Sequence, residues 1–218
     1  MNIFQWLIEF VLHLDKNLAL LMSQIGAWTY LPLFFIIFME TGFVITPFLP
    51  GDSLLFAAGS LAALENSPLN ILVLYLLLAS AAIIGDNVNY WIGHTIGPRV
   101  FTEKIRFLKK EYLARTHVFF EKHGSMTIFL ARFVPIIRTF TPFIAGVGAM
   151  TYGRFLVIDV IGGFVWAAIF TFGGYFFGRL PFVRDHFSIV IIAIILVSLL
   201  PAMVQAIRLR RQGDERPV

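Results

Sequence analysis

Glu40, Asp52, Arg132 and Arg138 are ionisable residues set within long apolar stretches. A charge at membrane depth costs roughly 2.5–3.5 kcal/mol on insertion scales, so each one needs a compensating role. Glu40 and Asp52 flank Pro47, Pro50 and Gly51, while Arg132 and Arg138 flank Pro135, with Pro142 following. Both stretches read as apolar helices broken near their middle. An arginine fork suits phosphate, and the N-termini of broken helices add backbone N–H groups for an anion. Arg132 and Arg138 are six residues apart, about 120° on one continuous helix. A break at Pro135 lets them converge. Two carboxylates meeting two guanidiniums can neutralise each other as buried pairs that fix packing. Alternatively the arginines bind an anion and the freed Glu40 and Asp52 take up protons, which is a route to proton-coupled anion movement.

A second polar group lies on residues 71–97, where Asp86, Tyr90, Gly93 and Gly97 fall on one helical face with Asn89 and His94 alongside. Gly93 and Gly97 have the spacing of a close-packing motif, and Asp86, Asn89 and Tyr90 read as a polar seam between helices. Gly162-Gly163 and the Gly174/Gly178 pair read as packing too, and Asp159 as a residue reaching the cytoplasmic interface. His117 and His123 lack a third ligand nearby, so no metal is expected, and no motif asks for a cofactor. No nucleophile elbow, phosphate-binding glycine loop or zinc-protease helix occurs, so an enzyme is not expected.

The elements that must position these residues follow from composition. Of 218 residues 58% are apolar and 14% charged, with 24 Phe and no Cys. A soluble enzyme, a disulfide scaffold and thiol chemistry are excluded. The expected class is an all-α integral membrane protein. Residues 1–17 read as an amphipathic interfacial helix with Gln5, Glu9 and His13 in one stripe. Residues 18–210 form one membrane domain. Spans are expected at about 18–40, 71–97, 155–178 and 187–207. The segments at about 41–64 and 125–150 are broken into arms too short to cross alone, so each reads as a re-entrant hairpin. A basic segment, 99–123, and a basic tail, 211–218, complete the chain.

The net charge of +4 hides an asymmetry: residues 1–98 hold one basic residue against six acids, residues 99–218 sixteen against seven. Basic clusters sort to the cytoplasm. With 99–123 cytoplasmic, the C-terminus is cytoplasmic too and the two hairpins enter from opposite faces. The runs are short and hemmed by apolar segments, so nucleic acid is not an expected partner. Thr46-Pro47-Phe48 and Thr141-Pro142-Phe143, Ala58-Gly59 and Ala145-Gly146, and Tyr90 to Gly93 and Tyr175 to Gly178 suggest an internal inverted repeat, a transporter design.

Three long signatures resemble the DedA family of bacterial inner-membrane proteins, within the VTT-domain superfamily. They are Glu40-Thr-Gly-x-x-x-Thr-Pro-Phe-Leu-Pro-Gly-Asp52, Gly85-Asp86-x-x-Asn-Tyr90-x-x-Gly93, and the run from His123 through Arg132 and Arg138 to Gly146. The likeness covers roughly residues 5–210. It implies opposed re-entrant hairpins with Glu40, Asp52, Arg132 and Arg138 as essential embedded charges. It also implies a role in moving undecaprenyl phosphate across the membrane, linked to proton motive force, envelope integrity, cell division and resistance to cationic peptides and alkaline stress. Distant eukaryotic members are phospholipid scramblases. The expected partners are therefore undecaprenyl phosphate or a phospholipid, and protons, with Arg132 and Arg138 holding the lipid phosphate and Glu40 and Asp52 coupling protons. The chain is compatible with a homo-oligomer. The alternatives are a proton-coupled antiporter of a small solute or cation, and a non-transporting membrane assembly factor.

Overall fold

The computed structural model describes residues 13–43, 51–100, 124, 126–148 and 150–198. Among these the regular structure is helical: α1 (Leu14–Ile25), a 3-10 turn (Gly26–Thr29), α2 (Tyr30–Gly42), α3 (Gly51–Ala62), α4 (Ile71–Val100), α5 (Pro135–Val147), α6 (Tyr152–Phe177), α7 (Pro181–Asp185) and α8 (Phe187–Ser198). Three helical runs, Lys16–Gly42, Ile71–Ile96 and Tyr152–Phe177, are long and apolar enough to cross a membrane. In that solvent a helix satisfies its own backbone, and its apolar side chains need no cover. Leu31, Phe35, Leu72, Leu76, Val157 and Ile161 accordingly stand exposed.

Several expected boundaries move. Residues 1–12, 44–50, 101–123 and 199–218 lie outside the described residues, and with them most of the N-terminal helix, Pro47 and Pro50, most of the basic segment, the end of the last span and the tail. The run expected at 18–40 starts earlier, and Gly26 interrupts it as its place in the sequence suggests. Gly26 has φ +55°, a conformation only glycine adopts freely, and the 3-10 turn follows it. Leu14, Leu18 and Met22 form a buried stripe at four-residue spacing, so α1 packs into the core. In the second broken segment the interruption is the turn at 132–134. Pro142 sits inside α5 and is not a break; it removes one helical N–H without ending the helix. Of the Thr-Pro-Phe landmarks, residues 46–48 lie outside the described residues, while Thr141 to Phe143 lie within α5. Gly51, expected at a break, is the first residue of α3.

α4 and α6 run antiparallel through the centre. Tyr75 meets Phe172, the middle residue Ile83 meets Gly163, and Tyr90 stacks on Phe155 at 4.6 Å between ring centroids. α2 lies alongside α4 in the same direction: the Asn70 N–H donates to Tyr30 Oη at 2.6 Å, Thr41 Oγ1 donates to the Ala82 carbonyl at 3.3 Å, and Gly42 abuts Gly85. Asn70 also caps α4, its Oδ1 accepting from Leu72 N–H at 2.9 Å.

The short helices cross over. α3, from the first half, packs on α6; α5, from the second, packs on α4. The same glycine pattern makes both contacts. A Cβ on Gly59 would meet the Thr171 carbonyl at 2.1 Å and one on Gly174 the Phe56 carbonyl at 2.0 Å; one on Gly93 would meet the Phe143 carbonyl at 2.1 Å and one on Gly146 the Tyr90 carbonyl at 2.0 Å. Gly59 thus corresponds to Gly146, and Gly93 to Gly174. The Gly93/Gly178 match expected from sequence is replaced by this one, because Gly178 packs on Ser60 one turn further along.

Candidate functional site

Pro135 shapes the site. A residue before proline is driven to extended backbone, and Val134 has φ −121°, ψ 104°. Proline then opens a helix well, having no N–H to satisfy at its first turn. This arrangement leaves Arg132 in the turn and carries Arg138 one turn into α5. On the other side, α3 begins with Gly51, whose N–H donates to Glu40 Oε1 at 3.2 Å. A Cβ on Gly51 would lie 2.0 Å from Glu40 Oε2, so only glycine lets the carboxylate reach this helix N-terminus. Asp52 is the next residue.

All four expected charges are buried, but they do not form one cluster of two acids and two arginines. The structure brings six together as two triads. Arg138 donates from Nη1 to Asp52 Oδ1 at 2.8 Å and from Nη2 to Glu40 Oε1. Arg132 donates from a single nitrogen, Nη2, to both Asp86 Oδ2 and Asp159 Oδ1. Asp86 is therefore an ion-pair partner and not merely part of a seam. Asp159, expected to reach the interface, is 1% exposed. It turns inward because the turn at 132–134 delivers a cation beside it. Asn89 and Tyr90 do stitch elements: the Asn89 amide donates to the carbonyls of Thr41 and Thr139 at 3.0 and 2.8 Å, and Tyr90 Oη donates to the Met150 carbonyl.

Sequence reasoning missed Trp166 and Ser198. The Trp166 indole N–H and the Ser198 hydroxyl each donate to Asp52 at 2.8 Å. The indole ring also lies 4.6 Å from the Arg138 guanidinium carbon, a cation–π contact. Asp159, Gly162, Gly163 and Trp166 share one face of α6, and that stripe was the available signal. The glycines leave room for Arg132: a Cβ on Gly163 would stand 3.2 Å from its Nη1.

Four carboxylates thus face two guanidiniums, an excess of two acidic groups. Glu40 Oε2, Asp86 Oδ1, Arg132 Nη1 and Arg138 Nε are buried without a hydrogen-bond partner among the described residues. A cavity of about 10 Å³, lined by Asp86, Arg132, Arg138, Thr141 and Asp159 among others, lies between the triads. That is at the lower limit for one water, so any larger anion requires the triads to part. The described residues include no group of three or more potential metal ligands of the His, Cys, Asp and Glu types suited to an ion.

A chain of apolar helices closing over buried paired charges is an α-helical membrane protein with a buried ionic centre. The VTT domain matches residues 49–176. The chain is 50% identical to Protein DedA of Escherichia coli (strain K12) over 212 residues, 97% of each chain. It is 50% identical to the uncharacterized membrane protein Rv0364 of Mycobacterium tuberculosis over 183 residues, 84% of this chain and 80% of that one. To the inner membrane protein YqjA of Escherichia coli (strain K12) it is 36% identical over 163 residues, 73% of this chain and 71% of that one. No solved structure matches it significantly. The chain belongs to the DedA family of VTT-domain membrane proteins.

Proposed function

We propose that the protein is a lipid translocase of the bacterial inner membrane that carries undecaprenyl phosphate, or a related phospholipid, across the bilayer with protons as the coupling ion. The observation that carries this reading is the placement of two arginines, each held by two carboxylates, at the centre of the antiparallel α4/α6 pair. Arginine recognises phosphate by its fork, and here acids take both terminal nitrogens of Arg138 and one of Arg132. A phosphate can take the place of a carboxylate only if the displaced acid is neutralised, and a proton does that. Phosphate and protons then exchange at one site, which links lipid movement to the proton gradient.

The contact pattern supports two opposed re-entrant hairpins. α2 starts beside Asn70 and α3 ends beside Arg179, whose Nε donates to the Ala63 carbonyl at 2.8 Å. In this reading the first hairpin, expected at about 41–64, widens to take in α2 from the run expected to span. Both its arms then open toward the same end of the α4/α6 pair, outside if residues 99–123 are cytoplasmic. The second, 126–131 and α5, opens toward the other end, where α6 begins. The C-terminus is then cytoplasmic. No group acts as a nucleophile in this reading, and the protein is not an enzyme.

A non-transporting assembly role is favoured by one fact: among the described residues, every buried charge already has an opposite partner. Reconstitution separates the two. Proteoliposomes containing the protein should move labelled undecaprenyl phosphate faster with an imposed pH gradient than without. No movement in either condition overturns the transport reading.

A further inference from the structure

A groove of about 510 Å³ opens on the apolar outer surface between α4 and α6. Ile84, Val88, Trp91, Ile92 and Leu156 supply its apolar lining. Ile84 and Trp91 are each 47% exposed, so the groove faces whatever surrounds the spans, which for this protein is lipid. It follows α4 from Ile83, at the middle of the span, to Thr95, a rise of about 18 Å. One leaflet contributes about half of the 30 Å hydrocarbon layer, so the groove is as long as a leaflet is deep. Its far end carries Trp91 and Tyr152, 5.4 Å apart between ring centroids, the aromatic pairing typical of a membrane interface. Dividing the volume by the length gives a mean cross-section of about 28 Å². Along that length there is room for one hydrocarbon chain lying in the groove.

A polar thread distinguishes this groove from ordinary lipid-facing surface. Tyr152 Oη donates to Asn87 Oδ1 at 2.8 Å, and Asn87 Nδ2 donates to Asp159 Oδ2 at 3.3 Å and to the Ile83 carbonyl at 2.7 Å. Asp159 is paired with Arg132, whose Nη1 is buried and unpartnered. Asn87 therefore lines the groove and at the same time bonds the carboxylate paired with an arginine that has a donor to spare. In hydrocarbon such a thread has no solvation to gain from pointing outward, so its value lies in what it can be exchanged for.

We infer that the groove seats the chain of a single-chain lipid monophosphate, and that Asn87 is the positioning residue whose release of Asp159 lets the phosphate head reach Arg132. This rests on the translocase reading and deepens it by naming the side from which the lipid approaches. The seated chain lies in the leaflet on the side of the basic segment, with the head near Tyr152. Turning the Asn87 amide away from Asp159 frees a carboxylate oxygen of the residue that holds Arg132.

The natural absence of cysteine makes the test clean. Single variants Ile84→Cys and Leu156→Cys in the groove, and Leu76→Cys and Ile161→Cys on lipid-facing surface outside it, are reacted with a bulky membrane-permeant thiol reagent. Each is compared with itself before and after modification. Modification in the groove should lower undecaprenyl phosphate transport at least about ten-fold, against less than about two-fold at Leu76 or Ile161. Independently of transport, undecaprenyl phosphate should slow modification of the groove positions about five-fold or more, while phosphatidylglycerol and inorganic phosphate should not. Asn87→Leu should keep that protection and lose transport, a separation that a purely structural asparagine would not produce. Equal modification rates with and without undecaprenyl phosphate overturn the inference, as does unimpaired transport with the groove filled. Protection by phosphatidylglycerol overturns the single-chain assignment. If the unmodified protein moves no lipid yet its groove is protected, the translocase reading falls and the groove assignment stands.

Discussion

Arg138 joins Glu40, from the end of α2, to Asp52, in the first turn of α3, and it does so with two different nitrogens of one planar fork. Lysine at this position keeps the charge but offers a point donor on a flexible stem. Arg138→Lys should therefore fold and insert while losing at least about ten-fold in transport, measured in proteoliposomes against equal amounts of protein. Trp166→Phe keeps an aromatic face over Arg138 but leaves Asp52 short of one donor. Removing one partner of a buried polar pair costs about 1–3 kcal/mol, and thermal unfolding in detergent should register a loss of that order. The four charged residues beside the broken helices were legible in the sequence because charge inside an apolar stretch is conspicuous. Their partners were not. Which carboxylate meets which guanidinium depends on how five helices cross, and Trp166 and Ser198 reach Asp52 from positions 114 and 146 residues away in sequence.

At the scale of elements, membrane helices gain nothing from burying apolar surface against one another, so close backbone approach through small residues does the work. The α3/α6 and α5/α4 crossings show it, with four glycines whose missing Cβ atoms leave space for a facing carbonyl. Gly174→Ala should destabilise the fold by about 1–3 kcal/mol or prevent it, since the clash is with backbone that cannot swing away. Its neighbour Gly173 has only a Phe56 ring carbon at 4.0 Å, and Gly173→Ala should leave the unfolding temperature nearly unchanged. The helices were read from apolar runs and prolines, and α4 and α6 came out within a few residues of their observed limits. The proline signal misled at Pro142, because a helix tolerates one missing N–H when neighbouring helices hold it in place. The repeat was sensed through Ala58-Gly59 and Ala145-Gly146, but its true correspondence lies in which backbone each glycine touches. No linear comparison displays that.

For the whole molecule the balance of charge decides the mechanism. Breaking a buried ion pair from one side costs about 3–5 kcal/mol, while replacing all its members by neutral groups is often tolerated. Arg132→Gln alone should thus unfold or fail to accumulate. Arg132→Gln combined with Asp86→Asn and Asp159→Asn should recover a folded protein, by size-exclusion profile, that does not transport. A folded triple variant that transports normally would reduce the second triad to scaffolding. Glu40→Gln removes one acidic group from the Arg138 triad, and transport by that variant should lose its dependence on the pH gradient even where downhill movement persists. The most direct measurement is the flux of labelled undecaprenyl phosphate in proteoliposomes, with and without an imposed pH gradient, for the natural protein and for Arg138→Lys. The account predicts gradient-stimulated flux in the first and a loss of at least about ten-fold in the second. Equal flux in both, or none in the natural protein under either condition, would contradict it.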